Sequence, residues 1–182
     1  MDLKHHFLIA MPNQAGTYFG NTITYICEHS EDGAMGLMIN RPTSISLGEL
    51  IEQSGLTGTP ELSSVPILEG GPVSHQQGFV LHSDDGDFSA SMSLGHGLKL
   101  TTAREVLEAI AGNRGPYNYL VALGYAGWGP QQLEGELTEN AWLTCPASTD
   151  IIFDVPFEQR IDKAAASLGI DIRLMSGQAG HA

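Results

Sequence analysis

The sequence predicts an α+β domain with a mixed, largely antiparallel β-sheet and flanking short helices. Three observations carry this expectation. Short β-branched and aromatic runs outnumber amphipathic helical stretches. Several runs are joined by hairpin signals, Asp32-Gly33 among them. No regular strand–helix alternation runs along the chain, which argues against a doubly wound parallel sheet. The 182 residues, 42% hydrophobic and 16% charged, have the profile of a globular chain and suit one domain over 1–182.

Taken in order, Lys4 to Ala10 reads as a first strand, stopped by Pro12. Thr22 to Glu28 is a second, and the turn Glu31-Asp32-Gly33 returns the chain as Ala34 to Asn40. Ser46-Leu47-Gly48-Glu49 is a capping box, so a short helix follows and Gly55 closes it. Residues 56–66 read as a loop. Pro66 to Glu69 and Gly78 to His82 are expected strands around Gly70-Gly71-Pro72. Residues 83–87 form an acidic loop, and Phe88 to Leu94 with Leu98 to Leu100 suggest another hairpin. Thr102 to Glu105 has the pattern of a second capping box, opening a helix to about Gly112.

Tyr119 to Leu123 is a continuous apolar run suited to a central strand. Gln131 to Thr138 reads as one or two helical turns. Ala141 to Thr144 and Ile151 to Phe153 are further strand candidates. Pro156 to Leu168 is the clearest amphipathic helix, with Phe157, Ile161, Ala164, Ala165 and Leu168 on one face and Gly169 beyond its end.

The formal net charge is -13, and the eight Lys and Arg are scattered. Affinity for DNA draws on clustered cations that displace counterions from phosphates, so direct nucleic-acid binding is not expected. Anionic membranes are disfavoured for the same reason. The apolar run Phe7 to Met11 is too short for a signal-peptide core, and no window reaches transmembrane length. A cytoplasmic location is expected. There, Cys27 and Cys145 would be free thiols.

Many ordered segments together resemble the YqgE/AlgH family of bacterial proteins. They include His6-Phe-Leu-Ile-Ala-Met-Pro12, Cys27-Glu-His29, Gly33-Ala-Met-Gly-Leu37 and Asn40-Arg-Pro42. Gly70-Gly-Pro-Val73 and Gly78-Phe-Val-Leu-His82 follow in the middle. Leu123-Gly-Tyr-Ala-Gly-Trp-Gly129, Gln132-Leu-Glu134, Asn140-Ala-Trp-Leu143, Ile152-Phe-Asp154 and Leu168-Gly-Ile170 complete the match. The chain departs from the family pattern at Gly16-Thr17, where Asp-Pro is frequent. It departs also at Gln77, where Arg is common, and at Gln131, where Gly is common. The resemblance implies a compact α+β fold with strongly coiled sheets and supplies no reaction. Members are often labelled transcriptional regulators, which the scattered cations do not support as direct DNA contact.

Cys27 and His29 are the redox candidates. Alternation along a strand puts them on one face, and a protonated His beside a thiol favours the reactive thiolate. A free Cys is just as readily a small buried apolar residue. Gly124-Tyr-Ala-Gly-Trp-Gly129 lies between an expected strand and an expected helix, the geography of a phosphate cradle, but its spacing fits no dinucleotide or P-loop pattern. Gly70, Gly71, Gly124, Gly127, Trp128 and Gly129 are therefore candidates for ligand contact, with tight-turn packing as the competing reading. His6, His29, His82 and His181 lack any metal-ligand spacing, so no metal or cofactor is expected. Glu134 and Glu136 read as a solvated pair.

Three functional readings remain. One is a non-enzymatic regulatory or binding module acting on a protein partner or small molecule, with thiol sensing through Cys27. The second is an enzyme or nucleotide-binding protein with a site near Gly124–Gly129. The third is an interaction scaffold.

Overall fold

In the computed structural model the described residues are 1–175. His181 lies outside them. The strands are β1 His6–Ala10, β2 Ile23–Ser30, β3 Gly33–Met38, β4 Pro42–Ser46, β5 Pro66–Glu69, β6 Val73–Ser83, β7 Ser91–Gly95, β8 Leu98–Thr101, β9 Tyr119–Trp128 and β10 Trp142–Pro146. The helices are α1 Leu47–Gln53, α2 Arg104–Ala111, α3 Gln132–Thr138, α4 Thr149–Phe153, α5 Arg160–Ala166 and α6 Ile172–Met175. The fold is α+β, and strand pairing is antiparallel except between β5 and β9. None of these helices is long and apolar enough to cross a membrane.

The described residues gather into two compact units, residues 1–41 with those from 126 on, and residues 42–125. In the first, the strand order is β10-β1-β2-β3 followed by the end of β9. Both faces of β1 are buried. Leu8 and Ala10 join Ile26, Trp128, Leu133 and Trp142 in one apolar cluster. Alternation turns Phe7 and Ile9 to the other face, where α5 packs on β1. In the second unit, β9 pairs with β6, β6 with β8, and β8 with β7, while β5 lies beside β9 and carries β4. Helices α1 and α2 close its apolar cluster through Leu47, Ile51, Val106 and Ile110.

Local signals held where their chemistry is local. Ser46 Oγ accepts from the Glu49 N–H at 3.1 Å, and the Ser46 N–H donates back to Glu49 at 3.2 Å, completing the expected capping box. The hairpins β2–β3 and β7–β8 form as expected.

Other expectations are corrected. The segment Gly124 to Trp128 is not a loop: β9 runs on through it, because its residues pair with β6 and β3. The second capping box does not form. Ala103 takes the N-cap position, and the Glu105 carboxylate instead accepts from the Ser89 N–H and hydroxyl. Ile151 to Phe153 is helical, within α4. A strand, β4, occupies residues after Arg41 where none was expected, and residues 60–64 make a 3-10 turn. The helix expected from Pro156 begins as a 3-10 turn and becomes α-helical at Arg160. Leu168 is exposed, whereas Arg160 is buried. The Arg160 guanidinium donates to the carbonyls of Val155 and Ile39 and lies over the Phe157 ring. Burial lowers its pKa to about 10.

Candidate functional site

Cys27 sits where β2 slips register against β3, between Ile26 and Glu28. An extra residue at such a bulge breaks the alternation on which the pairing of Cys27 with His29 rested. Cys27 is buried, and its thiol points to the Tyr25 carbonyl. Burial pushes the thiol pKa well up, which opposes the thiolate. The His29 ring is committed elsewhere. Its Nδ1 accepts from the Leu3 N–H at 2.9 Å, so its Nε2 carries the proton and donates to Glu134 Oε1 at 2.5 Å. This bond holds the Glu134 carboxyl below the usual carboxylate range. Glu134 is thus a partner of β2, a role its place in a polar segment did not suggest.

The candidate glycines come together as packing. Gly70 N–H donates to the Leu123 carbonyl at 2.8 Å. Gly124 has φ 77°, and a side-chain carbon there would lie 2.5 Å from the Gly71 carbonyl oxygen. Only glycine meets both demands. Gly127 pairs with Met35, and the Gly129 N–H donates to Gln132 Oε1 at 3.0 Å. Trp128 is buried, stacked on Phe19 and edge-on to Trp142. The indole N–H groups of Trp128 and Trp142 both donate to Glu136 Oε1, at 3.3 and 3.4 Å. The pair Glu134 and Glu136 therefore serves contacts within the first unit.

His82 is buried and doubly bonded. Its Nδ1–H donates to the Ser83 carbonyl at 2.6 Å, and its Nε2 accepts from the Thr101 hydroxyl at 2.7 Å. The Ser91 hydroxyl then donates to Thr101 Oγ1 at 2.6 Å. Burial is the main cause that lowers the His82 pKa. Among the described residues, no group of three or more His, Cys, Asp or Glu side chains is placed to hold a metal.

The concavity that sequence reasoning missed lies in the second unit. It is a groove of about 300 Å³ lined by Leu50 of α1, Gly78 and Val80 of β6, Leu107 of α2, and Val121 and Leu123 of β9. Val80 and Val121 are buried beneath it, while Leu50, Leu107 and Leu123 are half-buried along it. Its polar margin carries Ser54, Gln76, Thr102 and Arg104. Arg104 is held by Glu108 one helical turn on, at 3.1 Å. Gly78, expected to open a strand, lies within β6 instead.

The AlgH-like family model matches residues 7–173. The chain belongs to the AlgH-like family. A UPF0301 protein of Thioalkalivibrio sulfidiphilus is 50% identical over 181 residues, covering 100% of this chain and 97% of that one. A UPF0301 protein of Stutzerimonas stutzeri is 52% identical over 182 residues, covering 99% and 96%. The solution structure of the AlgH protein from Pseudomonas aeruginosa is similar with a TM-score of 0.83 at 48% identity, covering 100% and 97%. A Corynebacterium diphtheriae protein shares the fold alone, with a TM-score of 0.74 at 19% identity over 96% and 91% of the two chains. The names of these AlgH-like proteins specify no reaction and no ligand.

Proposed function

We propose that this AlgH-like chain is a non-enzymatic binding module whose groove receives the apolar part of a small molecule. The observation that carries the reading is the row of half-buried Leu50, Leu107 and Leu123 around an open floor at Gly78. A volume of about 300 Å³ falls at the small end of ligand pockets, and an apolar lining with a few polar groups at the margin is their usual make-up. A regulatory role would follow from ligand-dependent stability, since a ligand bound only by the folded state adds about 2.7 kcal/mol at a hundredfold excess over Kd. The burial of Cys27, and the absence of any bond from His29 to its thiol, favour this reading over thiol sensing.

The test is a screen of uncharged apolar compounds against the ¹⁵N- and methyl-labelled protein. Saturable shifts confined to Leu50, Leu107, Leu123 and the amide of Gly78 are expected. A screen in which no compound moves these signals, or in which the shifts cluster elsewhere, overturns the reading.

A further inference from the structure

Glycine inside a strand weakens it, and it is normally explained by a special dihedral angle, a bulge, or the close approach of another group. Within the fold, none of these reasons requires a glycine at position 78. Its φ is not positive, unlike that of Gly124. A side-chain carbon built on it meets no atom within 4 Å, whereas one at Gly36 would lie 2.8 Å from Tyr25 O and one at Gly124 2.5 Å from Gly71 O. The register slip between Val73 and Gly78 does not require it either, because the left-handed residue in that stretch is Ser74, at φ 51°. Gly135 also meets open space, but it sits exposed on α3. Gly78 instead lines the groove, half-buried and opposite Leu123.

We infer that the bare peptide face at Gly78 is the seat of a flat ring, and that the ligand class is an uncharged aromatic molecule of two fused rings. This rests on the binding reading above. With no Cβ on the floor, a planar group lies against the strand backbone. Leu50 and Leu107 from the two helices and Leu123 from β9 are the apolar side chains beside it. Size sets the ring count: a cavity of about 150 Å³ accepts benzene, and this groove is about 300 Å³. Charge sets the sign. The cation at the margin, Arg104, is held by Glu108, so an anionic ring gains little there, and among the described residues no Asp or Glu lines the groove to pair a cationic one.

The probe is prodan, a neutral naphthalene fluorophore whose emission shifts to the blue in apolar surroundings. Titration of the wild-type chain should give saturable blue-shifted emission. Gly78→Val should weaken binding by about tenfold or more, since a misplaced methylene in an apolar pocket costs that much. Its thermal midpoint should stay level or rise, because valine suits a strand better than glycine. Gly78→Ala, a smaller intrusion, should fall between and stands in if the valine chain does not fold. Equal prodan affinity in wild type and either variant overturns the ring seat. If prodan does not bind but 1-octanol shifts the methyls of Leu50, Leu107 and Leu123, the ring inference fails and the binding module survives. If neither binds, both fail.

Discussion

His29 and Glu134 are joined across 105 residues of sequence by a 2.5 Å hydrogen bond from Nε2 to a carboxylate oxygen. The bond ties β2 to α3 and fixes the His29 tautomer, because the Leu3 N–H occupies the other nitrogen. Glu134→Ala leaves a buried ring N–H without its acceptor. We expect a loss of about 1–2 kcal/mol, the range for orphaning a buried donor. Glu134→Gln retains an acceptor and should lose less. Urea titration of the two variants decides it: no loss in Glu134→Ala would mean that the contact does not order this corner.

Trp128 belongs to the core of the first unit, packed with Phe19 and Trp142. Trp128→Ala should cost about 3–5 kcal/mol, as other large-to-small core changes do. A denaturant midpoint that implies under about 1 kcal/mol would return this residue to the list of contact candidates.

The two thiols should react slowly in the folded protein. Cys27 and Cys145 are both buried, and burial raises both pKa values. Labelling with a small alkylating reagent should therefore follow opening of the structure and accelerate sharply in denaturant. A Cys27 that alkylates at the rate of a free thiol under native conditions would revive its candidacy as a sensor.

Acid should weaken the fold in two steps with separate causes. Burial lowers the His82 pKa from its ordinary 6.5, so the unfolded chain binds this proton more readily than the folded one. Its contribution is fully present above pH 6.5 and is lost as pH falls toward the lower folded value. Glu134 is also lowered, from an ordinary 4.5, by its bond to His29. Its contribution is present above pH 4.5 and disappears below it. His82→Gln should flatten the fall in thermal midpoint that begins at pH 6.5 and leave the more acidic step in place. An unchanged slope in the upper window would show that His82 is not its source.

How much of this was legible in the sequence depended on range. Ser46 and Glu49 are three residues apart and both halves of their cap are local, so their pattern was sufficient. Thr102 and Glu105 have the same spacing, but Ser89 draws Glu105 away, a contact from sixteen residues back that no local pattern records. Cys27 was misplaced because a bulge cannot be read from alternating residues. The resemblance did carry one geometric hint. Gln131, where the family commonly has Gly, holds φ 63° at the start of α3. The groove stayed hidden because Leu50, Leu107 and Leu123 lie on three different elements, and only the fold brings them beside Gly78.

The order of strands bears on how the chain is made. The second unit is one continuous stretch, residues 42–125, and can assemble as soon as it leaves the ribosome. The first is not. Strand β1 is synthesised before β10, which ends at Pro146, yet β10 is one of its two neighbours. Until β10 has emerged, β1 has an open edge of apolar residues from Phe7 to Ala10. A ribosome stalled before residue 142 should therefore display a nascent chain in which β1 is protease-sensitive while residues 42–125 already resist cleavage.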